Sequence, residues 1–288
     1  MLEKRLEPSA LEWFKKCVSE IGDEVPPGRF AVWFSSASRQ ARDRDALAPD
    51  EGERKAAEKA VEGWNPERWG LLEAVRVGLM LARTDLDDER GSLLVEDLFQ
   101  YADEGEQRAL YRSLALLPEP ERYVWRAGEG CRTNMTNVFE AVVLDTPFPA
   151  RWFDDGSFRQ AALKAVFVGV PLWRMWGLDQ RLDEELCRMA LDLVDERRSA
   201  HRTVQPDLWL CLGAFGGERA RAALEVELEV TNTHRAGRQA AAVALARAGA
   251  SDRLQELAAT EQDEQVLATM RAALDGATTQ AAFAAFQP

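Results

Sequence analysis

The sequence predicts an all-α protein, an irregular α-solenoid-like (HEAT-like) array of short helical hairpins, with a helical bundle as the alternative. Three observations carry this prediction. Apolar residues recur at spacings of three and four along nearly the whole chain, and strand-type alternation is almost absent. Pro and Gly punctuate the pattern every 10 to 15 residues or so, as short helices require. Finally, 46% hydrophobic and 30% charged residues in 288 are the composition of a globular chain with a sizeable core.

The elements follow in order. Ser9 is placed to cap a first helix whose buried stripe is Leu11, Phe14, Val18 and Ile21, ended by Gly22 and the Pro26-Pro27 pair. Residues 29–41 carry Phe30, Trp33, Phe34 and Ala37 on one face. A polar connector at 45–52 leads to a helix at 53–63. Asn65-Pro66 then opens the next helix with Pro in the first turn, and Trp69, Leu72, Val75, Leu79 and Ala82 form its stripe. Helices at 92–101 and 104–117 follow, stopped by Pro118 and Pro120, and 121–130 carries weaker signals.

From residue 132 the character changes. Helices at 133–144 and 157–169 are apolar nearly all round, which marks them as buried on every side and as the structural centre. Helices at 179–200 and 206–214 complete that block. Four short amphipathic helices close the chain at 218–230, 235–248, 251–260 and 262–274, the third capped by Ser251. Residues 240–249 and 268–276 are loosely alike at the spacing of one helix pair, the self-similarity behind the hairpin-array prediction. The expected organisation is an N-terminal helical region at 1–130, a central core at 131–216 and C-terminal hairpins at 217–288, in one continuous domain.

Charge and cysteine usage exclude several function classes. The net charge of −13 argues against nucleic acid as a partner, because phosphate binding needs a surplus of Lys and Arg. Thirty of the 36 basic residues are Arg, the mark of a GC-rich bacterial coding bias. Cys17, Cys131, Cys187 and Cys211 are far apart, so they read as small buried apolar residues of a reducing compartment. Residues 1–11 carry charge from Glu3 onward and lack the apolar core of a signal peptide. The longest apolar stretch, 161–176, is broken by Lys164, Gly169, Pro171 and Arg174, so the protein is expected to be cytoplasmic and not membrane-integral.

No catalytic motif is recognisable, and the reading leans away from an enzyme. The chain has two histidines, His201 and His234, which read as surface or capping groups. Phosphate-cradling glycine loops and zinc spacings are missing from the sequence, and no cofactor is expected. One acidic cluster, Asp85, Asp87, Asp88 and Glu89, could hold magnesium if the protein worked on a prenyl diphosphate. Its position between two helices favours a capping role instead.

The most informative polar residues lie in the two apolar helices. At 100° per residue, Asn134, Asn137, Ala141 and Asp145 share one face, and Gln160 and Lys164 share another. Burying them requires partners. Either they form a structural network, with Lys164 paired to Asp145 or Glu140, or they line a polar pocket for a small oxygen-rich ligand. Trp173, Arg174, Trp176, Asp179 and Arg181 add aromatic and cationic groups next in the chain. The candidate ligand-binding set is therefore Asn134, Asn137, Glu140, Asp145, Gln160, Lys164, Asp179 and Arg181. Glu140 and Lys164 are the candidates for acid or base in an enzyme.

A family resemblance joins these residues. Thr136-Asn137-Val138-Phe139-Glu140-Ala141, with Leu144-Asp145 and Pro147-Phe148-Pro149, resembles the TNVFEA…LDNPYPA signature of the EboA family. Leu163-Lys164-Ala165, Phe167-Val168-Gly169 and Pro171-Leu172 resemble its LKALFVGxPL segment. Gly177-Leu178-Asp179, Arg181 and Glu185-Leu186 resemble its GLDRR…PEL. Glu196-Arg197, Val204, Pro206 and Leu208-Trp209 extend the likeness, which spans residues 132–216. Thr146, Phe148, Phe158 and Asp195 depart from the pattern. The resemblance implies an accessory protein of secondary-metabolite biosynthesis, or of precursor trafficking toward the periplasm, that binds a small oxygenated metabolite or a partner enzyme. Its implied partners are other ebo-cluster proteins, including a membrane prenyltransferase. The alternatives are a pathway enzyme acting on a prenylated or cyclitol-like substrate, with magnesium only in the prenyl-diphosphate case, and a helical scaffold for cluster enzymes.

Overall fold

A computed structural model describes residues 1–21, 25–42 and 45–286. Among them lie seventeen α-helices and seven short 3-10 turns, with no strand beyond a single bridge between Ala46 and Gly70. The all-α prediction holds. Gly22, expected to end the first helix, lies outside the described residues. The chain divides into two compact units, Met1–Asp154 and Asp155–Pro288, a division that falls inside the expected 131–216 block.

The first unit contains α1 (Pro8–Glu20), α2 (Pro27–Ser36), α3 (Glu51–Ala60), α4 (Leu71–Leu81), α5 (Glu89–Tyr101), α6 (Glu104–Ser113), α7 (Val124–Arg132), α8 (Thr136–Val143) and α9 (Phe148–Trp152). Helices α1 and α2 both start on a proline, whose fixed φ suits the first turn. Ser9 therefore sits inside α1 instead of capping it. Acidic residues cap where the sequence suggested only polarity: Asp50 with Glu53 on α3 and Asp103 with Glu106 on α6 form reciprocal capping boxes. The expected helix 104–117 stops at Ser113 and tightens into a 3-10 turn at Leu114–Leu116. Helix α4 is the centre of this unit. It packs against α1 and α6, and α6 packs in turn on α8. Phe30, Phe34, Val75, Leu79, Met80, Leu110, Phe139 and Val143 are buried.

Helix α7 closes on this core through Gly130. A Cβ there would lie 2.6 Å from Val142 Cγ2 and 2.7 Å from the Tyr111 ring, so glycine is what permits the approach.

The second unit contains α10 (Asp155–Val168), α11 (Leu178–Arg181), α12 (Glu184–Ser199), α13 (Pro206–Leu210), α14 (Gly217–Leu228), α15 (Arg235–Arg247), α16 (Ser251–Ala258) and α17 (Glu264–Leu274), closed by a 3-10 turn at Gln280–Phe286. The expected helix 179–200 is two helices, because Asp183 leaves helical geometry and caps α12 through the Leu186 amide at 2.8 Å. Ser251 begins α16 without capping it. Helix α15 is the hub of this unit: it touches α13, α14, α16, α17 and the closing turn. Ala240 to Leu245 are all buried, and the small Ala side chains let the neighbours approach on every side. Trp209 on α13 is fully buried beside this hub.

Candidate functional site

The eight predicted ligand residues are divided between the units, four in each. In the first unit α8 is shorter than the expected 133–144, so Asn134 precedes it and Asp145 follows it, and the shared helical face does not form. Asn134 and Asn137 are exposed, the latter donating to Glu104 Oε1 at 2.8 Å. Glu140 is half-buried. Asp145 is buried and holds a left-handed backbone at φ 59°, its carbonyl accepting the Asn65 amide at 3.0 Å.

In the second unit Gln160 is exposed and Lys164 half-buried. The buried face of α10 is Phe158, Ala161, Ala162 and Ala165, spaced at three and four, and Gln160 lies off it with the exposed Phe167. The expectation that Asn134, Asn137 and Gln160 are buried inside all-apolar helices is thus corrected. Asp179 and Arg181 share the short α11 but turn to different partners. Asp179 is exposed and receives Arg247 Nη2 at 2.5 Å. Arg181 donates to Asp155 Oδ1 at 2.8 Å and lies 4.6 Å from the Phe158 ring centre.

The acidic cluster is also committed to structure. Asp85 is buried in a two-point pair with Arg83, at 2.8 and 2.5 Å. Asp88 caps α5 through the Gly91 amide at 3.0 Å, while Asp87 and Glu89 are exposed. A magnesium ion on this segment would have to break the Arg83 pair or the cap.

A different group of residues encloses space. In the second unit a cleft of about 240 Å³ is walled by Val166, Val204, Pro206, Ala236 and Phe286. Arg197, Gln205, Asp207 and His234 bring polarity to it. None of the eight predicted residues lines this cleft.

Its polar side chains are held from behind. Arg197 reaches across from α12, and its Nε donates to the Thr203 carbonyl at 2.6 Å. No carboxylate among the described residues comes within ion-pair distance of it, although most arginines of the chain are paired. Gln205 precedes α13; its Nε2 points to the Val166 carbonyl at 3.5 Å, while its Oε1 is buried without a hydrogen-bond partner. Asp207, in the first turn of α13, accepts the Leu172 amide at 3.0 Å. His234 stands just before α15. Its amide donates to Asn232 Oδ1 at 2.9 Å, and its Nδ1 lies 3.8 Å from Glu227 Oε1.

Glu227 is nearly inaccessible to solvent and is compensated by Arg198 Nη2 and Asn232 Nδ2, each at 3.1 Å. Gly237 completes this backing. A Cβ at that position would lie 2.4 Å from Glu227 Oε1 and 2.5 Å from His234 Nδ1, so a larger residue there would have to displace the Glu227 carboxylate and the His234 ring.

Little in the local sequence points to these residues. Gln205 and Asp207 stood between matched apolar positions, and His234 read as a surface group. A usable signal was available in Gln205 and Asp207, two polar residues flanking Pro206 at the start of a short and otherwise apolar helix.

Together these features define a helical protein, without strands among the described residues, whose second unit carries a small cleft of mixed polarity. The chain belongs to the family of the metabolite traffic protein EboA, whose model matches residues 1–213. The match reaches well beyond the 132–216 likeness, to the first residue. It covers Val166 to Asp207 of the cleft but not His234, Ala236 or Phe286, which come from the chain beyond it. No curated protein and no solved structure matches this chain. No helix among the described residues is long and apolar enough to cross a membrane.

Proposed function

We propose that this EboA-family protein is a soluble, cytoplasmic accessory protein that binds a small oxygenated metabolite in the cleft of its second unit. In that reading it holds a precursor of secondary metabolism between a supplying enzyme and the export step toward the periplasm. One observation carries the assignment of the cleft: the Gln205 Oε1 is buried and unpartnered in a cleft that is also lined by Arg197, whose Nε is spent on a backbone carbonyl. A buried acceptor left without a donor costs about 1–3 kcal/mol, which a ligand hydroxyl or amide would recover. Apolar walls with a few convergent polar groups are the usual composition of a small-molecule site. The family match supports metabolite traffic in general terms.

Capture of a metabolite tests this reading. The protein is incubated with a small-molecule extract of the source cells, separated by ultrafiltration, and its retained ligands are identified by mass spectrometry. The expected result is one or a few species enriched by the natural protein and lost from Ala236→Trp, which fills the cleft. No enrichment, or equal enrichment by the filled variant, overturns the assignment.

A further inference from the structure

We infer that the cleft selects a hydroxylated oxyanion: a compact molecule with an apolar body, a carboxylate or phosphate-monoester head, and a hydroxyl or amide donor. This inference rests on the proposed role of the cleft and names the class of ligand it takes.

The head group follows from Arg197. The chain carries a net charge of −13, and its arginines are mostly spoken for by Asp and Glu. Arg197 is half-buried at the edge of an apolar cleft and spends Nε on the Thr203 carbonyl, which orients the guanidinium and leaves Nη1 and Nη2 for a ligand. A fixed, partly desolvated guanidinium is matched by the paired oxygens of a carboxylate or phosphate. His234 lines the same cleft, its Nδ1 facing Glu227 Oε1 at 3.8 Å.

The donor follows from Gln205. Its side chain lines the cleft, and its Oε1, unpartnered in the wall, can only accept in this orientation, since Nε2 is turned to the Val166 carbonyl. The ligand therefore meets that oxygen with a hydroxyl or N–H. Val166, Val204 and Phe286 cover the body. A volume of about 240 Å³ lies below the ~300–1,000 Å³ of sites for drug-sized molecules, which excludes a nucleotide or a long prenyl chain from full enclosure.

Four probes of similar size separate the requirements: 4-hydroxyphenylacetate, its methyl ester, phenylacetate and tyramine, titrated calorimetrically into the full chain. The hydroxy acid is expected to bind at least tenfold more tightly than the ester, the amine or the acid without hydroxyl. Arg197→Met should abolish the preference for acid over ester, and Arg197→Lys should retain part of it. Gln205→Leu should abolish the preference for the hydroxyl while circular dichroism stays unchanged. If the ester or tyramine binds as tightly as the acid, the oxyanion class is wrong, while a ligand captured from the extract would still uphold the cleft. If no probe binds, or Ala236→Trp binds them all as well as the natural protein, the oxyanion inference falls; capture from the extract then decides the cleft separately.

Discussion

Glu73, fully buried at the start of α4, lies 2.9 Å from Arg108 Nη2 on α6. Its second oxygen accepts the Gly70 amide at 2.6 Å, so one carboxylate caps α4 and ties it to α6. Arg112 adds a further cation at 3.3 Å, and its guanidinium lies 5.6 Å from the Trp69 ring centre. A buried charge loses hydration on folding and tolerates this only when its partners are in place. Glu73→Ala removes the buried carboxylate that Arg108 and Arg112 share and is expected to destabilise the protein by about 3–5 kcal/mol in urea unfolding. Arg108→Met combined with Glu73→Met should cost less than the sum of the two single changes, since neither charge is then left unpaired. Strict additivity would show that the pair is not coupled.

Gly130 is expected to be intolerant for a reason of space. An added methyl would press on Val142 and on the ring of Tyr111. Helix α7 would have to move off α8, and Gly130→Ala should cost about 1–3 kcal/mol, against the gain that alanine normally brings inside a helix. Tyr111 reports on the same contact. Burial pushes its phenol up to about 12, because the ionised form loses its hydration there. The raised value means that Tyr111 contributes stability at all pH below the ordinary phenol range and loses it as pH rises through about 12. Phenolate absorbance should therefore show Tyr111, together with the likewise raised Tyr123, titrating late in the natural protein, and one of these two titrating earlier in Gly130→Ala. An unchanged titration together with an unchanged melting temperature would show that the interface yields freely.

Helical periodicity made the helical class legible because many helices of this chain bury residues at spacings of three and four, and that spacing is written locally. Leu72, Val75 and Leu79 recur at helical spacing and are all buried on α4. Boundaries were less legible. They depend on which acidic residue turns back to an amide, and nothing local tells Asp183, which caps α12, from Asp192 within it. The site was least legible of all. Asn137 and Gln160 drew notice as polar residues in apolar company, yet a single polar residue in a helix turns outward as readily as inward. The cleft instead gathers Val166, Arg197, Gln205 and His234 from separate helices and loops. Their proximity is a product of tertiary packing around α15, and no pattern within any one segment encodes it.

Asp183 offers a test in which pH separates charge from capping. Arg159 Nε lies 3.1 and 3.0 Å from its two oxygens, and the Leu186 amide donates to it at 2.8 Å. The Arg159 guanidinium, and after it the amide, hold the Asp183 carboxyl below its ordinary 3.8 against an opposing desolvation. A carboxyl lowered in the native state stabilises the fold above its unfolded value and loses that contribution as pH falls through the native one. Asp183→Asn keeps an oxygen for the cap and removes the charge, so at neutral pH it should lower the melting temperature modestly. The side chain is partly exposed, and solvent screens the pair. As pH falls through the lowered native value the natural protein protonates too, and the two melting curves should converge. Asp183→Ala, which also removes the cap, should stay about 1 kcal/mol less stable than Asp183→Asn at every pH. A difference between the natural protein and Asp183→Asn that persists unchanged into acid would place the contribution in the cap geometry and not in the charge.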